Sequence, residues 1–187
     1  MTLRDRVIAW AAVGLLVIGP AHAQQAQGTD VTGTSSDVSG TLTQSDAYLF
    51  QTDESRIRMN DVAASLSDAL RSGRLDESVA GSRPMTVSAP TAALILSGSK
   101  AEKTAAAQQF AEVLTERGLA PADARLLAEK VAGLLDEGTV TPDAFLAAVE
   151  AFNAAVDVAP PGFLTQPPQE FIVVRAVLMA LLEGATI

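Results

Sequence analysis

The stretch AGLLDEGTVTPDAFLAAV, residues 132–149, decides the fold. Upstream of its turn, Ala124, Leu127, Val131, Leu134 and Leu135 recur at three- and four-residue spacing; downstream, Phe145, Val149, Phe152 and Val156 do the same. That period predicts two amphipathic helices. Between them, Gly138 suits a helix end, because glycine enters the left-handed region without steric cost. Thr141 followed by Pro142 reads as an N-cap and a first-turn proline. The stretch is therefore helix, glycine turn, capped helix.

Working outward, the same punctuation recurs. Pro121 opens the helix before Gly138, and Gly118 closes the one before that. That earlier helix starts at a capping box, Ser99 to Glu102, and carries Ala106, Phe110, Val113 and Leu114 on one face. Pro90 precedes TAALIL, a short apolar helix or a strand closed by Gly98. Val62, Leu66, Ala69 and Leu70 mark a first helix with Asn60 or Asp61 as N-cap and Gly73 just past its end. A looser segment runs from there through Pro84. Four prolines in APPGFLTQPP, residues 159–168, predict an extended connector. The last helix, Gln169 to Glu183, is apolar through FIVVRAVLMALL, with Arg175 the sole charge in that run. Its twelve-residue middle spans about 18 Å, short of the roughly 30 Å of a bilayer core, so it reads as the central, all-round-buried helix and not as a membrane span. The predicted fold is all-α, a compact bundle of about five or six helices.

The N-terminal side reads differently. Arg4 and Arg6, the apolar run Val7 to Ile18, and Ala21-His22-Ala23 form the pattern of a cleaved export signal over residues 1–23. Residues 24–45 are mostly Ser, Thr, Gly, Gln and Asp, too poor in apolar surface to offset their ordering entropy, and are expected to form a disordered tether. Residues 46–187 are expected to be one helical domain, with Tyr48, Leu49 and Phe50 packing on it as a lead-in. The expected location is the periplasm or the cell exterior.

Loss of the leader would also remove the only His (His22) and the only Trp (Trp10) from a chain without Cys. His is the usual general base near neutral pH and the usual transition-metal ligand, and Cys supplies thiolates. No metal site, cofactor or Ser-His or Cys-His catalytic arrangement is expected. The formal charge of −9 becomes one unit more negative without Arg4, Asp5 and Arg6. Such a surface repels phosphate backbones, and no nucleic-acid partner is expected.

Residues 136–145, DEGTVTPDAF, resemble the second half of an EF-hand, a calcium-binding helix–loop–helix. With Gly138 at the sixth loop place, the side-chain ligand places fall on Gly133, Leu135, Glu137 and Ala144. One carboxylate, with Ala where the bidentate Glu belongs, does not strip a hard cation of water. Ser97-Gly98-Ser99-Lys100 resembles the Ser-x-x-Lys nucleophile motif of serine β-lactamases and penicillin-binding proteins, without the companion Ser-Asp-Asn and Lys-Thr-Gly signatures. Carboxylate pairs could serve a small hydrolase: Glu170 with Glu183, or the cluster Asp136, Glu137 and Asp143. No catalytic residue is assigned.

The binding candidates are Arg175, a guanidinium in an apolar helix that needs a partner, and the aromatic set Phe145, Phe152 and Phe171. The expected function is non-catalytic protein binding or scaffolding, with an unknown protein partner or self-association. The alternatives are a carrier or chaperone for an apolar ligand lined by those Phe residues, and the carboxylate hydrolase.

Overall fold

In the computed structural model, the described residues are 52–80, 83–136 and 138–185. The expected leader, tether and Tyr48–Phe50 lead-in, and Glu137, lie outside them. The described residues form eight helices and a two-stranded ladder: α1 Asp53–Arg71, β1 Arg74–Leu75, α2 Glu77–Ala80, β2 Met85–Thr86, α3 Ala89–Leu96, α4 Lys100–Glu116, α5 Pro121–Ala132, α6 Pro142–Val158, α7 Pro161–Thr165 and α8 Gln169–Ala185. The fold is an all-α bundle. Six of these helices have eight or more residues; α2 and α7 have four and five.

The two ends of the described chain pack together, α1 on α8, and α2 lies on α8 as well. The α4–α5 hairpin forms the opposite part of the bundle. Between them, α3 touches α1, α4 and α5, while α6 touches α5 and α8. The centre is aromatic. Phe152 and Phe171 stack with centroids 4.5 Å apart, and Phe163 meets Phe171 edge to face at 5.0 Å. Such pairs add about 0.5–1.5 kcal/mol beyond the area they bury.

Caps set most boundaries as the residue types require. Ser88, Ser99 and Thr141 accept the amides of Thr91, Glu102 and Ala144. After α4, Leu119 N–H donates to the Leu114 carbonyl and Gly118 N–H to that of Thr115, with Gly118 at φ 103°. Those two bonds make a Schellman motif, which uses carbonyls that a bare helix end leaves orphaned.

Four boundaries differ from expectation. The first helix starts at Asp53, not after Asn60 or Asp61. Thr52 accepts Ser55 N–H, the exposed pairs Asp53–Arg56 and Glu54–Arg58 lie at 3.5 Å, and buried Met59 carries the Ala63, Leu66 and Leu70 face one turn further back than the predicted stripe. The looser segment contains an antiparallel ladder pairing Arg74 with Thr86 and Leu75 with Met85. Helix α5 ends at Ala132, with Gly133 as C-cap; Leu134 and Leu135 are buried beyond it, and Gly138, at φ 83°, serves the tight turn closed by Asp136 and Thr139. Lastly, α7 occupies the middle of the proline-rich connector. Pro161 takes the first-turn place, where a missing N–H costs nothing, and the helix ends before Pro167.

The last helix is mostly buried, yet Ile172, Arg175, Met179 and Leu182 share a face that is only partly covered. The all-round burial expected for it is therefore not reached: its other faces are buried, and this one is not. Near its end, Gly184 lets α8 approach α1 closely, since a Cβ there would lie 2.5 Å from Val62 Cγ2. Among the described residues, no helix is long and apolar enough to cross a membrane.

Candidate functional site

Helices α4 and α5 are joined by the short link 117–120 and run antiparallel. Lys103, near the start of α4, reaches the end of α5, its Nζ donating to the carbonyls of Ala132 and Leu135 at 2.7 and 2.8 Å. Along this pair lies a groove of ≈ 1470 Å³, bordered also by the C-terminal turn of α1, the α3–α4 junction and the turn after α5. Its floor is small, because Ala107 and Ala111 of α4 face Ala128 and Ala132 of α5. Those four sit at four-residue spacing on their helices, so each helix turns one narrow apolar stripe toward the groove.

The walls are charged with both signs. Lys100, Glu112 and Glu116 come from α4, Arg125 and Glu129 from α5, and none of them has an ion-pair partner among the described residues. Lys103 is half-buried, and burial lowers its pKa below the usual lysine value while the charge of Asp136 acts to raise it. Its two carbonyl bonds pin the turn that follows α5. A second side chain holds the far side of that turn: Asn60 Oδ1 accepts Val140 N–H at 3.1 Å. Asn60, expected as an N-cap, lies within α1 and caps a distant strand of backbone instead.

The residues singled out in the sequence go elsewhere. Phe145, Phe152 and Phe171 are at most 6% exposed and fill the core; none lines the groove. Arg175 is partly exposed on α8 and is engaged within the fold, away from the groove lining. Glu170 and Glu183 stand thirteen positions apart on one helix, about 20 Å along its axis, well beyond the roughly 5–9.5 Å that paired-carboxylate hydrolysis uses. Asp136 and Asp143 are both exposed. Among the described residues, no group of three or more His, Cys, Asp or Glu could hold a metal ion.

Ser97 of the Ser-x-x-Lys stretch has another role. Its Oγ donates to Glu102 Oε2 at 2.6 Å and accepts Ser99 N–H at 3.0 Å. The capping box is thus completed through the Ser97 hydroxyl: Glu102 reaches the N-cap amide by way of that group. Lys103, which organises the groove end, escaped the sequence reading. The available signal was Lys103, Ala107 and Ala111 at four-residue spacing, a lysine continuing a small apolar stripe.

No known protein-family model matches the chain, and no curated protein or solved structure is significantly similar to it.

Proposed function

We propose that the protein is an exported, non-catalytic binding domain that holds a segment of another polypeptide in the α4–α5 groove. The observation that carries this reading is the groove itself. At ≈ 1470 Å³ it exceeds the roughly 300–1,000 Å³ of small-molecule pockets. Its alanine floor admits side chains or backbone closely, and its unpaired Lys, Arg and Glu walls suit a chain bearing both charge signs. An apolar ligand would leave those charges desolvated without compensation. Export is supported by Arg4, Arg6, the Val7–Ile18 run and the Ala21-His22-Ala23 site.

The test is site-specific photo-crosslinking. A photoreactive residue at exposed Gln108, on the groove wall, should trap a discrete polypeptide, while the same residue at exposed Glu150 on α6 should not. Equal labelling at both positions, or none at Gln108, would sink the reading. Intact mass of the protein recovered outside the cytoplasm should correspond to a chain beginning at Gln24.

A further inference from the structure

The two ends of the groove are unlike. One is bordered by the turn after α5, through Gly133, Leu135, Asp136 and Gly138, with Ser97 and Gly98 beside it; the link 117–120 contributes nothing to the lining at the other. At the bordered end stand Lys103 and Lys100, one turn apart on α4. An ammonium carries three N–H donors, and the carbonyls of Ala132 and Leu135 take two of those on Lys103. The third has no acceptor among the described residues. Lys100 has no ion-pair partner there either. Among the described residues, Asp136 is the counter-charge that acts on Lys103, exposed to water and so a weak competitor.

Building on the groove as a polypeptide site, the geometry points to its ligand being the C-terminal tail of a partner, whose terminal carboxylate is held by Lys103 and Lys100. An end bordered by a backbone turn, with cationic donors that have no acceptor among the described residues, fits a chain terminus, whose carboxylate accepts charge-assisted hydrogen bonds. The acidic wall then sets what precedes it. Glu112 lies nine positions beyond Lys103 along α4, about 14 Å, and Glu116 thirteen, about 20 Å. An extended chain rises about 3.3 Å per residue. Basic side chains are therefore favoured about four and six residues before the terminus, while Arg125, seven positions before Ala132 on the antiparallel α5 and so about 10 Å from the lysine end, opposes the nearer of the two.

Two random libraries of peptides of about ten residues separate the possibilities, one displayed with free C-termini and one with C-termini blocked by fusion, each selected on the protein carrying the photoreactive residue at Gln108. Free-ended peptides with Lys or Arg in the upstream positions should be enriched. Amidating the C-terminus of a selected synthetic peptide should weaken it about tenfold, equivalent to about 1.4 kcal/mol. Lys100→Ala, an exposed change that spares the fold, should weaken the free acid and leave the amide unaffected. Enrichment from the blocked library alone, or equal affinity of acid and amide with crosslinking retained at Gln108, overturns this inference and leaves the groove as a polypeptide site. No crosslinked peptide from either library, with no partner trapped at Gln108, overturns both.

Discussion

Lys103 shows how much one side chain can organise. Its two bonds to the Ala132 and Leu135 carbonyls satisfy groups that the end of α5 would otherwise leave without partners. Lys103→Met should lower stability by about 1–2 kcal/mol in urea unfolding, since bonds to charged groups contribute about 1.5–3 kcal/mol and partial desolvation offsets some of it. The pH response has a definite sign. Its folded-state pKa is lowered from 10.5, so between that lowered value and 10.5 the unfolded chain binds the proton and the native chain does not. Wild-type stability measured against Lys103→Met should therefore rise as pH climbs through the folded pKa and level off above 10.5. A flat or falling difference would contradict the burial assigned to this lysine. Asn60 offers a cleaner case. Asn60→Ala removes the acceptor for Val140 N–H and should cost about 1 kcal/mol, whereas Asn60→Asp, which keeps an acceptor, should cost less in the same melt.

At the scale of elements, the α1–α8 contact is the most sharply testable. Alanine normally improves a helix by about 1 kcal/mol over glycine. At Gly184 the added Cβ would meet the stiff, β-branched Val62 at 2.5 Å, and its own Cβ at 3.2 Å. Gly184→Ala should destabilise by about 1–3 kcal/mol through overpacking, and Val62→Ala in the same chain should recover most of that loss. Additive thermal shifts in the double variant would show that the two helices do not meet as described. Element existence was largely legible: the stripes through Leu66, Phe110, Leu127 and Phe152, and the caps Ser99 and Thr141, lie where the period and residue type put them. Boundaries were less so. The first two turns of α1 are capped by Thr52 and anchored by a single buried residue, Met59, too little for a stripe, and α7 is a five-residue helix fitted between prolines. Leu134 and Leu135 continue the α5 pattern while the chain has already left the helix, because burial selects apolar residues in a loop as it does in a helix.

For the whole molecule, the aromatic centre and the groove are separate assets. Phe171 joins Phe152 and Phe163 where α6, α7 and α8 converge. Phe171→Ala should cost about 3–5 kcal/mol in thermal or denaturant unfolding, the usual loss for a buried Phe. A loss below about 1 kcal/mol would mean that this centre collapses far more freely than its packing implies. Peptide capture in the groove should raise the melting temperature with ligand concentration, as mass action requires of any ligand that binds only the folded chain.

Composition, period and punctuation by themselves determined that these residues build helices around a core of Leu, Val, Ala and Phe. Those signals act within a few residues of one another, through helix periodicity, capping and the conformational limits of glycine and proline. The same sequence pointed to Arg175 and the Phe set for binding, since an unusual residue in an apolar run is conspicuous in one dimension. Only the tertiary structure decided that the Phe set closes the core and that Arg175 lies on a partly covered helix face. It alone placed Lys103 beside the end of α5, some thirty residues along the chain, and left a groove over Ala107, Ala111, Ala128 and Ala132. A groove is space between elements, set by how two helices and a turn meet, and no local rule of spacing encodes that meeting.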